Sequence, residues 1–359
     1  DEMTEPTYPA LMAGLNFGLN ATSSGFAITI GGYNDKQPEF LAFVLDRVLT
    51  APLSQARFNT MKQSLVRDLQ NTTKDKPYSQ ALTALNNTLL DASWPAEQQA
   101  ALLSTTSLAQ LENWRSEQFK TLAVIGGLHG NVDTQDAENL ADLLTTLLPL
   151  QRITRIRPSV QQIDESASID LAVDHNDAAL LIYVQDPDDS FASRAKSALA
   201  GQLLRSPFFS SLRTDQQLGY VVSAGIRRMD TQSGNLFLVQ SPSAGVAHIE
   251  NAVMVFLEQY IAQWDAMPEE AFEQQKAGLI TRLMEKDKNL AQRSQRYWRS
   301  LSEENFAFDS NRQIADQVSG LNKQDMKVFL EDLYLRVQNQ RLLIFSAGAI
   351  TQAPSGDSA

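Results

Sequence analysis

A chain of 359 residues with 43% hydrophobic side chains is long enough for about two domains of ~150 residues, each with its own packed core. Its formal charge of -12 lacks the basic footprint that a nucleic-acid backbone requires, so no nucleic-acid partner is expected. The absence of cysteine excludes disulfides, thiolate metal sites and a cysteine nucleophile, and no apolar run approaches the ~18 residues of a membrane span. Asp1-Glu2-Met3-Thr4 has neither the charged nor the apolar region of a secretory leader, and a first residue other than Met is read as the mark of a trimmed or excised chain.

In chain order, residues 13–19 alternate apolar with small or polar side chains, the period of a half-buried strand. After the turn chemistry of residues 20–24, a second apolar stretch, residues 25–30, completes a hairpin. A polar corner from Gly31 to Pro38 leads into residues 39–49, where Phe40, Leu41, Val44, Leu45 and Val48 fall at helical spacing. Asn34 and Asp35 are expected to form the turn and cap that helix. Phe58, Met61, Leu65 and Leu69 mark a second helix, Leu82, Leu85, Leu89 and Leu90 a third, and two shorter helices follow Trp94-Pro95. Residues 121–126 read as a strand ending at Gly127-Leu128-His129-Gly130-Asn131, and a helix carrying Leu140, Leu143, Leu144, Leu147 and Leu148 closes the unit.

Residues 149–168 carry Arg152, Arg155, Arg157 and Pro158 without core periodicity and read as a linker or domain edge. Beyond them, residues 169–173 and 179–184 read as strands and 191–204 as a helix. A hairpin (218–226 and 235–240), a helix over 253–261 and the stretch 272–280 then repeat the order of the first unit. Phe272 stands in the place of Phe58, Leu283 in that of Leu69, and residues 342–348 in that of 122–127. The expected fold class is α/β (α+β), with two homologous domains, each a mostly antiparallel sheet with helices packed on one face. Residues 1–150 form the first, 151–168 a linker and 169–359 the second. The second copy has a strand-strand-helix block, residues 169–204, for which the first has no equivalent. The first domain is therefore expected to be truncated at its N-terminus, leaving a sheet edge and helix faces that favour self-association.

The stretch with the most chemistry is residues 211–222. Arg213 and Tyr220, seven positions apart, flank a polar turn that runs into a β-branched segment, so both side chains can address one spot from the lip of a sheet. Leu212-Arg213-Thr214-Asp215-Gln216-Gln217-Leu218-Gly219-Tyr220-Val221-Val222 resembles the Leu-Arg-Thr-x-Glu-Gln-Leu-Gly-Tyr-x-Val motif in the C-terminal half of insulinase (pitrilysin) family, M16-type metallopeptidases. Gly32-Tyr33-Asn34-Asp35-Lys36 resembles that family's Gly-Tyr-Asn-Asp-Lys corner and Leu128-His129-Gly130-Asn131 its Leu-His-Gly-Asn turn, in the same order.

The resemblance implies four homologous α/β domains in two halves that close on a peptide, with zinc held in the first domain by His-x-x-Glu-His and a distal Glu. None of His129, His175 and His248 stands in such a motif. The resemblance therefore implies the non-catalytic C-terminal half, with no metal ligand or cofactor of its own and zinc in the N-terminal half. That catalytic half and a peptide substrate would be its partners, and the chain alone is expected to be inactive. Carried over residue by residue, Arg213 and Tyr220 are the candidates for contacts to substrate and transition state, because a guanidinium or phenol can stabilise developing negative charge or hold peptide carbonyls. Gln217 and Gly219 are carried over as substrate-binding. Gln216 departs from the family's Glu, which removes a carboxylate. The alternative reading is a structural or interaction module of a processing-peptidase-like assembly. Bacterial members of this length are commonly periplasmic, with the export signal upstream.

His129 reads as a structural hydrogen bonder in a tight turn, His175 and His248 as surface residues, and Arg227 and Arg228 as solvated or in contact with acidic substrate.

Overall fold

The computed structural model describes residues 4–22, 24–151 and 158–349; Arg152, Arg155 and Arg157 of the expected linker lie outside them. The chain runs α1 (Thr4–Met12), β1 (Asn16–Thr22), β2 (Gly25–Gly31), α2 (Gln37–Thr50), α3 (Gln55–Asn71), α4 (Pro77–Leu89), α5 (Ala96–Thr105), α6 (Leu108–Gln118) and α7 (Thr134–Leu147). It continues through β3 (Ala167–Asp170), β4 (Ala178–Gln185), α8 (Phe191–Phe209), β5 (Val221–Met229), β6 (Gln232–Ser241), α9 (Val246–Ala262), α10 (Glu269–Leu283), α11 (Leu290–Ser302), α12 (Ser310–Gly320), α13 (Lys323–Asn339) and β7 (Leu342–Ser346). These elements form two compact units, one of Asp1–Gln70, Ala96–Pro158 and Leu290–Trp298, the other of Asn71–Pro95, Ser159–Asn289 and Arg299–Ala359.

In the first unit the predicted hairpin is present, with β1 and β2 antiparallel from Asn16↔Gly31 to Thr22↔Gly25. The helical spacing read from Phe40, Val44 and Val48 is realised in α2, whose Phe40 and Val44 join Leu15 in a small core flanked by Phe17, Ile28 and Ile30. Asn34 does not cap that helix. Its side chain donates to the carbonyl of Asn131 at 3.1 Å, and α2 begins at Gln37 with Lys36 in the N-cap position and no side-chain cap. The strand expected over residues 121–126 is reduced to one parallel bridge, Leu122↔Leu150. Val124 and Ile125 are 44% and 42% exposed. β-Branched residues favour strands through packing on neighbouring strands, and a segment with one bridge gains little of it.

The second unit is built on a five-stranded sheet of order β3-β7-β4-β6-β5. β3 and β7 pair parallel, and every other pair is antiparallel. Every residue of β4 is buried, the reason its sequence is a continuous apolar run rather than an alternating one. Leu180, Ile182 and Val184 face a large core with α8, α9, α10, α12 and α13, while Leu181 and Tyr183 face Ala81, Leu85 and Leu89 of α4 on the other side. Each fully buried Leu or Ile contributes about 1.5–3 kcal/mol, so β4 is a principal source of this unit's stability. The order hairpin, helix, helix seen in β1-β2-α2-α3 recurs in β5-β6-α9-α10, and Phe272 of α10 is fully buried.

Candidate substrate-contact site

Residues 211–222 connect α8 to β5. The last turn of α8 widens into a π-helical turn over Ser210–Asp215, a local geometry that recurs at functional sites. Two leucines pin the loop to the core: Leu212 is fully buried and Leu218 is 4% exposed. The Leu218 N–H donates to the Leu212 carbonyl at 2.9 Å, and the Gln216 N–H to that of Ser211 at 3.0 Å. Between them Gln217 takes φ of +54°, a left-handed conformation that costs a non-glycine residue of order 1 kcal/mol and is held only where its surroundings over-determine it.

This frame fixes the two residues singled out by sequence. The exposed Arg213 donates through Nη1 to the main-chain carbonyl of Tyr220 at 3.1 Å, and its guanidinium lies over the Phe209 ring, 4.8 Å from the centroid. One of five N–H donors is thus committed to the turn. Tyr220 is 55% exposed, and its hydroxyl donates to Oδ2 of Asp177 at 3.3 Å. The Asp177 charge, with some desolvation and the hydrogen bond itself, raises the ionisation of this phenol above its ordinary value, so it stays protonated at neutral pH. Arg213 and Tyr220 are therefore brought to one turn, the arginine on the tyrosine's main chain and the phenol on the carboxylate that immediately precedes β4. Gln217 is exposed at the crest of the loop, and Gly219 packs against β6.

Asp177, which sequence did not single out, is buried just before β4, and its Oδ2 also accepts from Nε2 of Gln240 at 2.7 Å. Gln240 in turn accepts from the main-chain N–H of Tyr78 at 3.1 Å. His175 is half-buried rather than a plain surface residue, because its Nδ1 accepts from the Asp177 N–H at 2.9 Å. The other two histidines match their reading: His129 is 2.8 Å from the Ser294 hydroxyl and edge-on to Tyr297, and His248 is exposed.

A second buried polar cluster lies at the far end of β4. Asp186 accepts from the Ser197 hydroxyl, Gln232 donates to the Asp186 carbonyl at 2.6 Å, and Asp186 Oδ2 has no partner. Burial pushes the Asp186 carboxyl up to about 6, against the opposing pull of Ser197, Arg336 and Arg194. Nearby, Glu303 takes Arg228 at 2.5 Å and Arg194 at 3.9 Å. This places Arg228 in an internal ion pair, whereas the sequence left it to solvent or substrate, and Arg227 donates to Asn86 at 3.1 Å. Among the described residues no group of three or more His, Asp or Glu side chains could hold a metal ion. Among the same residues no helix is long and apolar enough to cross a membrane.

Residues 1–102 match the model of the middle or third domain of peptidase M16, and residues 199–298 that of domain 4 in the C-terminal lobe of PqqF-like PQQ synthase. Together the two matches cover more than half of the chain. Human insulin-degrading enzyme is 27% identical over 343 residues, which span 93% of this chain and 34% of that protein; the chain thus spans about a third of the length of the curated relatives it matches. By fold, a pitrilysin crystal structure superposes with a TM-score of 0.83 at 21% identity, over 99% of this chain and 38% of that one. A peptidase M16 inactive domain from Pseudomonas fluorescens gives 0.70 at 15% identity, over 98% and 84%. The mixed α/β architecture, the third- and fourth-domain matches and the motif around Arg213 and Tyr220 agree, and the chain belongs to the insulinase (pitrilysin, M16) family of metallopeptidases, within its C-terminal half.

Proposed function

We propose that this chain serves as the peptide-binding, non-catalytic half of an insulinase-like zinc endopeptidase and completes its chamber when paired with the zinc-bearing half. The observation that carries the reading is the turn at residues 211–220. It holds two exposed side chains of complementary chemistry, a cation and a neutral phenol, on a loop locked by two buried leucines. Sites that recognise an extended peptide need such donors and acceptors fixed before the substrate arrives, because ordering them on binding costs affinity. Arg213 and Tyr220 supply contacts to the peptide main chain or to charge developing on it, and Gln217 and Gly219 shape the approach. The metal chemistry belongs to the other half.

The test is complementation. The chain alone should leave an unstructured peptide intact, and adding a zinc-bearing N-terminal half from this family should produce cleavage that a chelator abolishes. Failure of a folded chain to associate with that half or to raise its rate would remove the proposal. One observation favours the second reading, a purely structural module: Arg213 is hydrogen-bonded to its own turn. On that reading the chain associates with a partner half, but its turn contributes nothing to turnover.

A further inference from the structure

We propose that Asp177 is a positioning residue for Tyr220: its carboxylate accepts the one hydrogen bond the phenol can donate, fixes the ring at the mouth of the turn, and leaves the phenol oxygen to accept a hydrogen bond from a peptide N–H. The proposal rests on the reading of Tyr220 as a peptide contact.

Strand register brings the two residues together. Gln240 of β6 lies opposite Ala179 of β4 on one side and Val221 of β5 on the other. Asp177 precedes Ala179 by two residues and Tyr220 precedes Val221 by one, so both emerge at the same end of the sheet, on either side of the strand that carries Gln240. Two strand spacings separate them, about 10 Å, a gap that a phenol reaching toward a carboxylate can span.

The carboxylate is the fixed member of the pair. Asp177 is 7% exposed and Gln240 1%. Gln240 donates to Asp177 at 2.7 Å and is itself held by the Tyr78 N–H at 3.1 Å, while the Asp177 N–H is tied to His175 at 2.9 Å. Tyr220 at 55% exposure has no comparable packing, so its ring orientation follows the anchor. A phenol has one proton to donate and lone pairs to accept with. With the proton committed to an anion, the group presents an acceptor, and donation to a charged partner polarises the O–H and strengthens that acceptor. A main-chain N–H of an extended peptide complements it. The raised ionisation of Tyr220 agrees with an anion at hydrogen-bond distance.

Two measurements test this. In protein labelled with ¹³Cζ-tyrosine, Tyr220→Phe identifies one of the eight tyrosine signals, and in Asp177→Asn that signal should titrate at a lower midpoint, toward an ordinary phenol, with the other seven unmoved. In the complemented enzyme, Asp177→Asn should raise KM roughly three- to ten-fold, the size of one hydrogen bond, with kcat within about two-fold, and should add nothing in a Tyr220→Phe background. Gln240→Met, which frees the carboxylate but keeps its charge, should raise KM in the same way without lowering the midpoint, and it serves if Asp177→Asn does not fold. An unchanged Tyr220 midpoint in Asp177→Asn, or a fall in kcat at constant KM in either variant, overturns the proposal. Tyr220→Phe indistinguishable from wild type in both constants overturns the peptide-contact reading beneath it, and the titration result separates the two failures.

Discussion

Gly219 sits so close to β6 that a Cβ at that position would fall 2.0 Å from the carbonyl oxygen of Gln240. The obstacle is backbone on a central strand, which cannot swing aside as a side-chain tip would. The motif's glycine is thus required by the approach of the turn to the sheet, and the same Gln240 anchors Asp177 through its side chain.

Gly219→Ala should therefore destabilise the chain by about 1–3 kcal/mol, the cost of overpacking a closed site. Gly278, in the middle of α10 with nothing within 4 Å of a built Cβ, is the control: Gly278→Ala should stabilise by about 0.5–1 kcal/mol. Urea unfolding midpoints of the two variants should move in opposite directions.

Leu85 of α4 is fully buried against the second face of the five-stranded sheet. Leu85→Ala should cost about 2–5 kcal/mol, as for other large-to-small changes in a core. Amide exchange in β4 and β7 should accelerate with it, because those strands supply Leu181, Leu342 and Ile344 to the same cluster. A surface-like cost below about 0.5 kcal/mol would mean that α4 does not cover the sheet.

Asp186 provides a pH dependence with a definite sign. Its carboxyl is held up to about 6 in the folded protein by burial, against 3.8 for the ordinary group, so the folded form binds the proton more tightly than the unfolded chain. Stability from this group is full below about pH 4 and is lost as pH rises toward and through 6. At 1.36 kcal/mol per pH unit the loss is at most about 3 kcal/mol. Asp186→Asn should remove that slope, so its unfolding free energy relative to wild type should rise between pH 4 and 7. A difference that stays flat over this range would contradict the assignment.

Sequence pattern reached as far as local periodicity and close pairing allow. The spacing of Phe40, Val44 and Val48 specified α2, the unbroken apolar run of residues 179–184 marked the strand β4, and the motif brought Arg213 and Tyr220 to one turn. Residues 121–126 misled because β propensity is expressed only with strands to pair against, and there a single bridge forms. The polar network behind Tyr220 was invisible for another reason. Asp177 and Gln240 lie 63 positions apart and meet through the register of β4 on β6, which one sequence does not display. Asp186 was missed likewise, its raised ionisation arising from burial beneath α8 and β6.

The central claim, that the turn at Arg213 and Tyr220 works on the peptide, is tested most directly by cleavage kinetics of the chain paired with a zinc-bearing half. Arg213→Ala should lower kcat/KM by roughly 10- to 100-fold, the loss of a charged hydrogen bond, and Tyr220→Phe by roughly three- to ten-fold, with unfolding midpoints close to wild type because both side chains are exposed. Two folded variants that associate with the zinc-bearing half and turn over peptide at the wild-type rate would contradict it and leave the turn as scaffold.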